Sequence, residues 1–209
     1  MRLLLFSDLH CNVAAAQLLV ERGRNMDVAI GAGDFGQVRR RVGVCIDILK
    51  AMPCPTIIVP GNNESLAELV EACRGWENVH ILHGTGVSIG GVNFFGLGGG
   101  VPVTPFGSWS WDFSEEEATG LLSDFPDGGV LISHSPPKGC LDVDSSDTSR
   151  GSTTVRDLIA AKRPALVVCG HIHACWGLSE QLAETTVINA GPAGMIFELL
   201  EANIQLPKQ

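Results

Sequence analysis

Short apolar runs recur along the chain, and each ends abruptly in a polar motif. The runs are Leu3–Phe6, Val28–Ile30, Thr56–Val59, Val130–Ile132 and Ala165–Cys169. Runs this short, rich in β-branched residues and apolar at nearly every position, predict strands covered on both faces. Between the first three lie segments of helical character. Residues 12–21 predict a helix with Asn12 as its N-cap. Residues 37–51 place apolar side chains at 38, 42, 45, 46 and 49, which predicts a second helix closed by Pro53 and Pro55. Residues 64–73, directly after a Gly-Asn-Asn-Glu loop, predict a third. The order β-α-β-α-β-α implies a mostly parallel sheet.

The middle third changes character. Residues 86–100 read as a hairpin turning at Gly90-Gly91. Residues 101–113 form a loop rich in Pro, Gly and Trp, and residues 114–125 open with an S-x-x-E capping box at Ser114 and Glu117. Further on, a long polar loop (136–152) precedes a helix at 153–163, then strands at 165–169 and 185–191, with 194–201 expected to close a second sheet. MIFELL within that last segment could equally pair across a dimer, so a homo-oligomer stays open. No internal repeat or linker is visible, so residues 1–209 read as one domain.

The polar motifs at the strand ends carry the chemistry. They are Asp8-Leu9-His10, Gly33-Asp34, Gly61-Asn62-Asn63-Glu64, Ser133-His134 and Gly170-His171-Ile172-His173. In open α/β sheets the carboxyl ends of the strands form the ligand-binding edge. Each motif alone has an ordinary alternative: Asp34 as a helix cap, Asn62 as a turn residue, His134 as a hydrogen-bonded packing residue. Gathered at one edge, Asp8, His10, Asp34, Asn62, His134, His171 and His173 are a donor set for two divalent ions. All donors are oxygen or nitrogen, which suits Mn²⁺, Fe or Zn²⁺, with Mn²⁺ favoured for assays in vitro.

Composition narrows the setting. The net charge of −9 makes long nucleic acid a poor partner, while a site holding two divalent ions still attracts a small phosphate ester. Seven scattered cysteines, an odd number with no C-x-x-C pair, argue against a disulfide framework and a zinc ribbon and favour a cytoplasmic location. No apolar stretch approaches a membrane span, and the N-terminal run is too short for a signal peptide.

The five motifs in this order resemble the calcineurin-like metallophosphoesterases, whose pattern is D-x-H, G-D, G-N-H-[DE], a lone His and G-H-x-H. The resemblance runs from Leu3 to about Gly191. The stretches GLGGGVPVTPFG, ISHSPPKGCLD and CGHIH also look like the small prokaryotic phosphodiesterase-like members. The resemblance implies an α/β four-layer fold, two packed mixed sheets flanked by helices. It implies that Asp8, His10 and His173 hold one metal, that Asn62, His134 and His171 hold the other, and that Asp34 bridges them. It further implies hydrolysis of a small phosphoester by in-line attack of a metal-bridging hydroxide.

The chain departs from the pattern at Asn63, where the family carries His. An amide donates a hydrogen bond but is no general acid near neutral pH. Asn63 is therefore expected to contact substrate or stabilise charge, with a bias toward activated or strained diesters such as aryl or cyclic-nucleotide substrates. His10, His80 and His83 are the remaining histidines that could supply a proton. Asn12 and Arg150 are candidate phosphate contacts, with an N-cap and a solvated loop arginine as their alternatives. Trp109 and Trp111 could stack on a base or anchor their loop. A phosphomonoesterase and a metal-binding scaffold with little catalysis stand as alternatives to the phosphodiesterase. A DNA-repair nuclease is a weaker one.

Overall fold

The computed structural model describes residues 1–200. The last nine residues of the expected single-domain span lie outside the described residues. In chain order the elements are β1 (Arg2–Phe6), α1 (Val13–Arg22), β2 (Val28–Gly31), α2 (Gly43–Leu49), β3 (Thr56–Ile58), α3 (Leu66–Ala72), β4 (Val79–Ile81), β5 (Thr85–Ile89), β6 (Val92–Leu97), α4 (Glu115–Leu121), β7 (Val130–Ser133), α5 (Thr153–Lys162), β8 (Leu166–Cys169), β9 (Leu178–Leu182), β10 (Thr185–Asn189) and β11 (Met195–Glu198).

They form two mixed sheets. The first has strand order β11-β1-β2-β3-β4 and the second β5-β6-β7-β8-β10-β9. The period-2 alternation of side chains sorts each strand between two cores. Leu3 and Leu5 of β1 join Ile30, Phe94, Ile132 and Val168 between the sheets. Leu4 and Phe6 of the same strand face outward onto Leu19, Ile46 and Leu69 of the first three helices. On the far side, Leu131 and Val167 meet Ala118, Val155 and Ile159 of α4 and α5. The result is four layers, helix–sheet–sheet–helix.

Several expected boundaries move. The second helix starts only at Gly43. Residues 37–42 instead form an irregular loop, with positive φ at Val38, Arg39 and Arg41 and a Gln37–Arg40 bridge. The third helix begins after Ser65, whose hydroxyl makes a reciprocal capping box with Glu68, and Glu64 turns inward instead. The terminal strand β11 pairs antiparallel with β1, Leu4 opposite Ile196, so it closes the first sheet rather than the second. The β5–β6 hairpin turns at Gly90-Gly91, both at positive φ, as the sequence implies. No helix among the described residues is long and apolar enough to cross a membrane.

Parallel pairing of β1 with β2 and β2 with β3 aligns the ends of these strands. The same holds for β6 with β7 and β7 with β8. The loops that follow them from both sheets meet at one edge, and the polar motifs lie in those loops.

Candidate metal centre

Asp8, His10, Asp34, Asn62, His134, His171 and His173 converge at this edge. Asp8, His10 and His173 bring one donor atom each within 4.8 Å of one another, and so do Asp8, Asp34 and His134. The two groups share Asp8. Asn62 and His171 join the second: Asn62 Oδ1 lies 3.2 Å from His134 Nε2 and 3.1 Å from His171 Nδ1. His10 Nε2 and His173 Nε2 face each other at 3.1 Å. Asp34 spans the centre, with Oδ2 3.6 Å from His10 Nε2 and Oδ1 3.5 Å from His134 Nε2.

The backbone is bent to make this possible. Asp8, His10, Asp34 and His171 all adopt positive φ, between 42° and 66°. For non-glycine residues such conformations cost on the order of 1–3 kcal/mol each and collect at functional sites. Two motif glycines are explained by close approach. A Cβ at Gly61 would collide with the Asp34 carboxylate, and one at Gly170 with that of Asp8.

The side chains are aimed from behind. His134 Nδ1 lies 2.7 Å from the Ala32 carbonyl, and His10 Nδ1 lies 3.3 Å from that of Gly36. Donation there leaves each Nε2 lone pair directed into the centre, the arrangement typical of metal-ligating histidines. Asn62 Nδ2 donates to Ser110 Oγ at 2.8 Å, which turns its carbonyl oxygen toward His134 and His171. Asp8 Oδ2 accepts from Ser7 Oγ at 2.5 Å and from Trp176 Nε1 at 3.1 Å. The Trp176 ring also packs on His173, centroids 4.2 Å apart.

Asn63 is spent on Asp34. Its backbone N–H donates to Asp34 Oδ1 at 2.8 Å and its Nδ2 to Oδ2 at 2.7 Å. Its Oδ1 accepts from the Val38 amide at 2.8 Å. The residue lines the cleft at 7 % exposure, with its Oδ1 and one Nδ2 hydrogen engaged. One Nδ2 hydrogen thus holds the carboxylate beside it, while the residue still lines the cleft where contact with substrate is expected.

The electrostatics ask for cations. Asp8 and Asp34 are 1 % and 2 % exposed. Among the described residues, only histidines lie within ion-pair distance of either. Burial raises the Asp8 carboxyl above the usual carboxylate range, against the pull of His134. Burial works the same way on Asp34, but His134, His10 and the Asn63 amide outweigh it and hold its pKa down. His171 is pushed down to about 3 by burial and by His134, so it is a neutral imidazole with a free lone pair. Two buried carboxylates, a carbonyl oxygen and four imidazoles, two of them with Nε2 turned inward by donation through Nδ1, fit hard-to-borderline divalent ions.

The other expected contacts divide. Arg150 lines the cleft above the centre, its Nε held by Asp144 Oδ2 at 2.9 Å. Asn12 does not line it. Its side chain accepts from Ala15 N at 3.0 Å as the α1 N-cap, the alternative weighed for it. Trp109 lines the cleft, whereas Trp111 packs against His83 and Phe113 and anchors the loop. Burial lowers the His83 pKa, and neither His83 nor His80 lines the cleft.

Glu64 and Trp176 were not singled out by sequence reasoning. Glu64 is fully buried and accepts from four backbone amides: Asp34 at 2.8 Å, Gly61 at 2.9 Å, Gly36 at 3.0 Å and Phe35 at 3.2 Å. Burial and Asp34 nevertheless push its pKa up to about 7. Its signal was available, as the acidic fourth position of the Gly-Asn-Asn-Glu motif. Trp176 had none, because a tryptophan after a histidine motif reads as packing.

The family model described as the calcineurin-like phosphoesterase superfamily domain matches residues 1–202. No curated protein matches the chain in sequence. Among solved structures, TT1561 of Thermus thermophilus superimposes with a TM-score of 0.74 at 19 % identity, covering 92 % of this chain and 90 % of that one. A dimetal phosphatase from Danio rerio follows at 0.62 and 12 % identity, covering 92 % and 88 %. The phosphopantetheinyl hydrolase of Mycobacterium tuberculosis gives 0.54 and 16 %, covering 90 % and 88 %. At these identities the likeness is one of fold.

Proposed function

The chain belongs to the calcineurin-like phosphoesterase superfamily, and from that premise we propose that it is a binuclear-metal phosphodiesterase acting on a small substrate. The observation that carries this reading is Asp34, whose two carboxylate oxygens face histidines of two different donor groups. Asp8, His10 and His173 would hold one divalent ion, and Asn62, His134 and His171 the other, with Asp34 serving both. Bound there, the ions would supply Lewis acidity toward the phosphoryl oxygens and a nucleophile at neutral pH.

The chain's own residues do the rest. His134 and His10 keep their Nε2 lone pairs inward by donating through Nδ1. Asn63 fixes the rotamer of Asp34 through Nδ2. Because that amide is not acidic near neutral pH, it delivers no proton to a departing oxygen. Losing general acid catalysis costs about 10²–10⁴-fold, most for basic leaving groups. Substrates whose leaving group is stable as an anion, or whose ring strain is released, escape most of that loss. This is what favours aryl or cyclic diesters over alkyl monoesters. The excess of acidic residues disfavours long nucleic acid as the substrate. Seven free cysteines accord with a reducing, cytoplasmic setting.

The test is hydrolysis of bis-p-nitrophenyl phosphate and p-nitrophenyl phosphate by Mn²⁺-loaded protein, beside Asp34→Ala. Diester turnover exceeding monoester turnover, and abolished in the variant, supports the proposal. Faster monoester turnover makes the protein a phosphomonoesterase. No turnover of either ester with two metals bound makes it the metal-binding scaffold that an amide at position 63 would also suit.

A further inference from the structure

A cleft of about 720 Å³ opens from the metal centre. Sites of roughly 300–1,000 Å³ enclose organic ligands of drug-like size, so this one has room for far more than a phosphoryl group. Part of its lining comes from the Pro- and Trp-rich loop: Pro102, Val103, Pro105, Phe106 and Trp109. Phe106 and Val103 are 50 % and 63 % exposed. The rings of Phe106 and Trp109 stack nearly parallel, centroids 5.4 Å apart and 18° between planes. They make a two-ring aromatic stack beside the reaction centre, with an outer ring face left uncovered by the pair.

The remaining lining outside the metal centre is mostly polar, with Lys138, Ser145, Ser149 and Arg150. Arg150 is neutralised by Asp144. Lys138 Nζ reaches the Ser149 carbonyl at 3.2 Å and has no carboxylate within ion-pair distance among the described residues. An acyl chain would leave this polar lining dehydrated and unpaired, which is costly. A flat ring does not. Its π-face extends the aromatic stack, while heteroatoms in its plane meet hydroxyl and ammonium donors.

We propose that the organic group of the substrate is a flat, heteroatom-bearing aromatic ring that extends the Phe106–Trp109 stack, with its polar edge toward Lys138. The proposal rests on the phosphoesterase reading above and assigns Phe106, Trp109 and Lys138 as specificity determinants. Stacking on such side chains is worth roughly tenfold or more in binding per ring.

The experiment uses three diesters that share a p-nitrophenolate leaving group, so that the bond broken is the same: the methyl, phenyl and thymidine 5′ esters. The expected order of kcat/KM is thymidine, phenyl, methyl, with the gain carried by KM. Phe106→Ala and Trp109→Ala each collapse the thymidine-to-methyl ratio by roughly tenfold, and Lys138→Ala lowers the thymidine-to-phenyl ratio. Because p-nitrophenyl is itself a flat polar ring, the variants decide: kcat/KM values and ratios that survive both aromatic substitutions overturn the proposal. A binding arm separates this from failure of the underlying reading. Thymidine 5′-phosphate, followed by tryptophan fluorescence quenching, should bind at least tenfold more tightly than methyl phosphate, and the difference should vanish in Phe106→Ala. If none of the esters turns over with two metals bound, the phosphoesterase reading fails. If the esters turn over but the binding difference is absent, the ring site alone is wrong.

Discussion

Glu64 offers the sharpest test of how the loops are held. One carboxylate, fully buried, gathers amides from two loops: Asp34, Phe35 and Gly36 on one side and Gly61 on the other. Glu64→Ala strands four buried N–H groups and leaves a void. A buried donor left without a partner costs about 1–3 kcal/mol, so four put the loss at roughly 4–12 kcal/mol before any cavity term. Bonds to a full charge would be stronger, but burial disfavours that charge, so the neutral range is the safer guide. Glu64→Gln separates the terms. Its carbonyl oxygen can stay at the Oε1 position, where three of the amides point. Only Gly36 then meets an N–H instead of an oxygen, a loss of about 1–3 kcal/mol. The total stability of a domain this size is about 5–15 kcal/mol, so the alanine variant should unfold at a much lower urea concentration and the glutamine variant at an intermediate one.

The assay is urea unfolding of metal-free protein at pH 7, followed by far-UV circular dichroism. An alanine variant within about 1 kcal/mol of the parent would show that the amides find other partners. A glutamine variant more stable than the parent would show that relief of a buried charge outweighs the lost bond. Either result refutes the argument. The functional corollary is that Asp34, whose own amide is one of the four, loses its fixed position, so Mn²⁺ affinity should fall in both variants and further in the alanine one.

Three further outcomes follow from individual contacts. Asn63→Asp keeps the shape but places an oxygen where Nδ2 donates to Asp34 Oδ2; the di-Mn²⁺ form should lose the exchange-coupled electron paramagnetic resonance signal of paired ions, and an unchanged coupled signal would remove Asn63 from its positioning role. Trp176→Phe keeps a ring on His173 but deletes the donor to Asp8; removing a partner of this kind costs roughly 10–100-fold in metal affinity, and a Mn²⁺ titration with unaltered affinity would contradict it. Glu115 accepts from the Thr154 amide, the Ser152 hydroxyl and the Thr153 amide at the start of α5. These bonds lower its pKa despite the opposing effect of burial. Its stabilisation is therefore present above the unfolded value of about 4.3 and lost as pH falls through the lower folded value. Glu115→Gln should cost about 1 kcal/mol near pH 6, a cap-sized effect discounted for solvent screening, and the gap to the parent should narrow only below about pH 4. A gap constant down to pH 3 would contradict the carboxylate assignment.

What was legible in the sequence divides along physical lines. Strands buried on both faces leave an uninterrupted apolar run, so β1, β2, β7 and β8 were visible, and the polar residues that end them mark the metal centre. The edge strand β9, Leu178–Leu182, is almost wholly exposed and carries no such run, so it left no signal. The strand β11 was seen, but its partner was not. Its pairing with β1 joins residues nearly two hundred positions apart, a choice made by tertiary packing rather than by local pattern. Periodicity was misleading at residues 37–42. Val38 and Val42 sit at helical spacing, yet Val38 N bonds to Asn63 Oδ1 and Arg39 N to the Asn63 carbonyl, and these bonds replace the first turn of the expected helix. The same contact explains why Asn63 could be identified as a departure but not assigned a task. Identity shows that a side chain can donate a hydrogen bond, whereas only the fold shows that the acceptor is Asp34. Around the metal centre, the local pattern misleads where the loop after β2 is bound to the loop after β3. That junction is held by Asn63 and Glu64, adjacent in sequence, one fixing the Asp34 carboxylate and the other its backbone. Substitutions at these two positions should therefore be non-additive in metal affinity, because either one alone already frees the carboxylate that both hold.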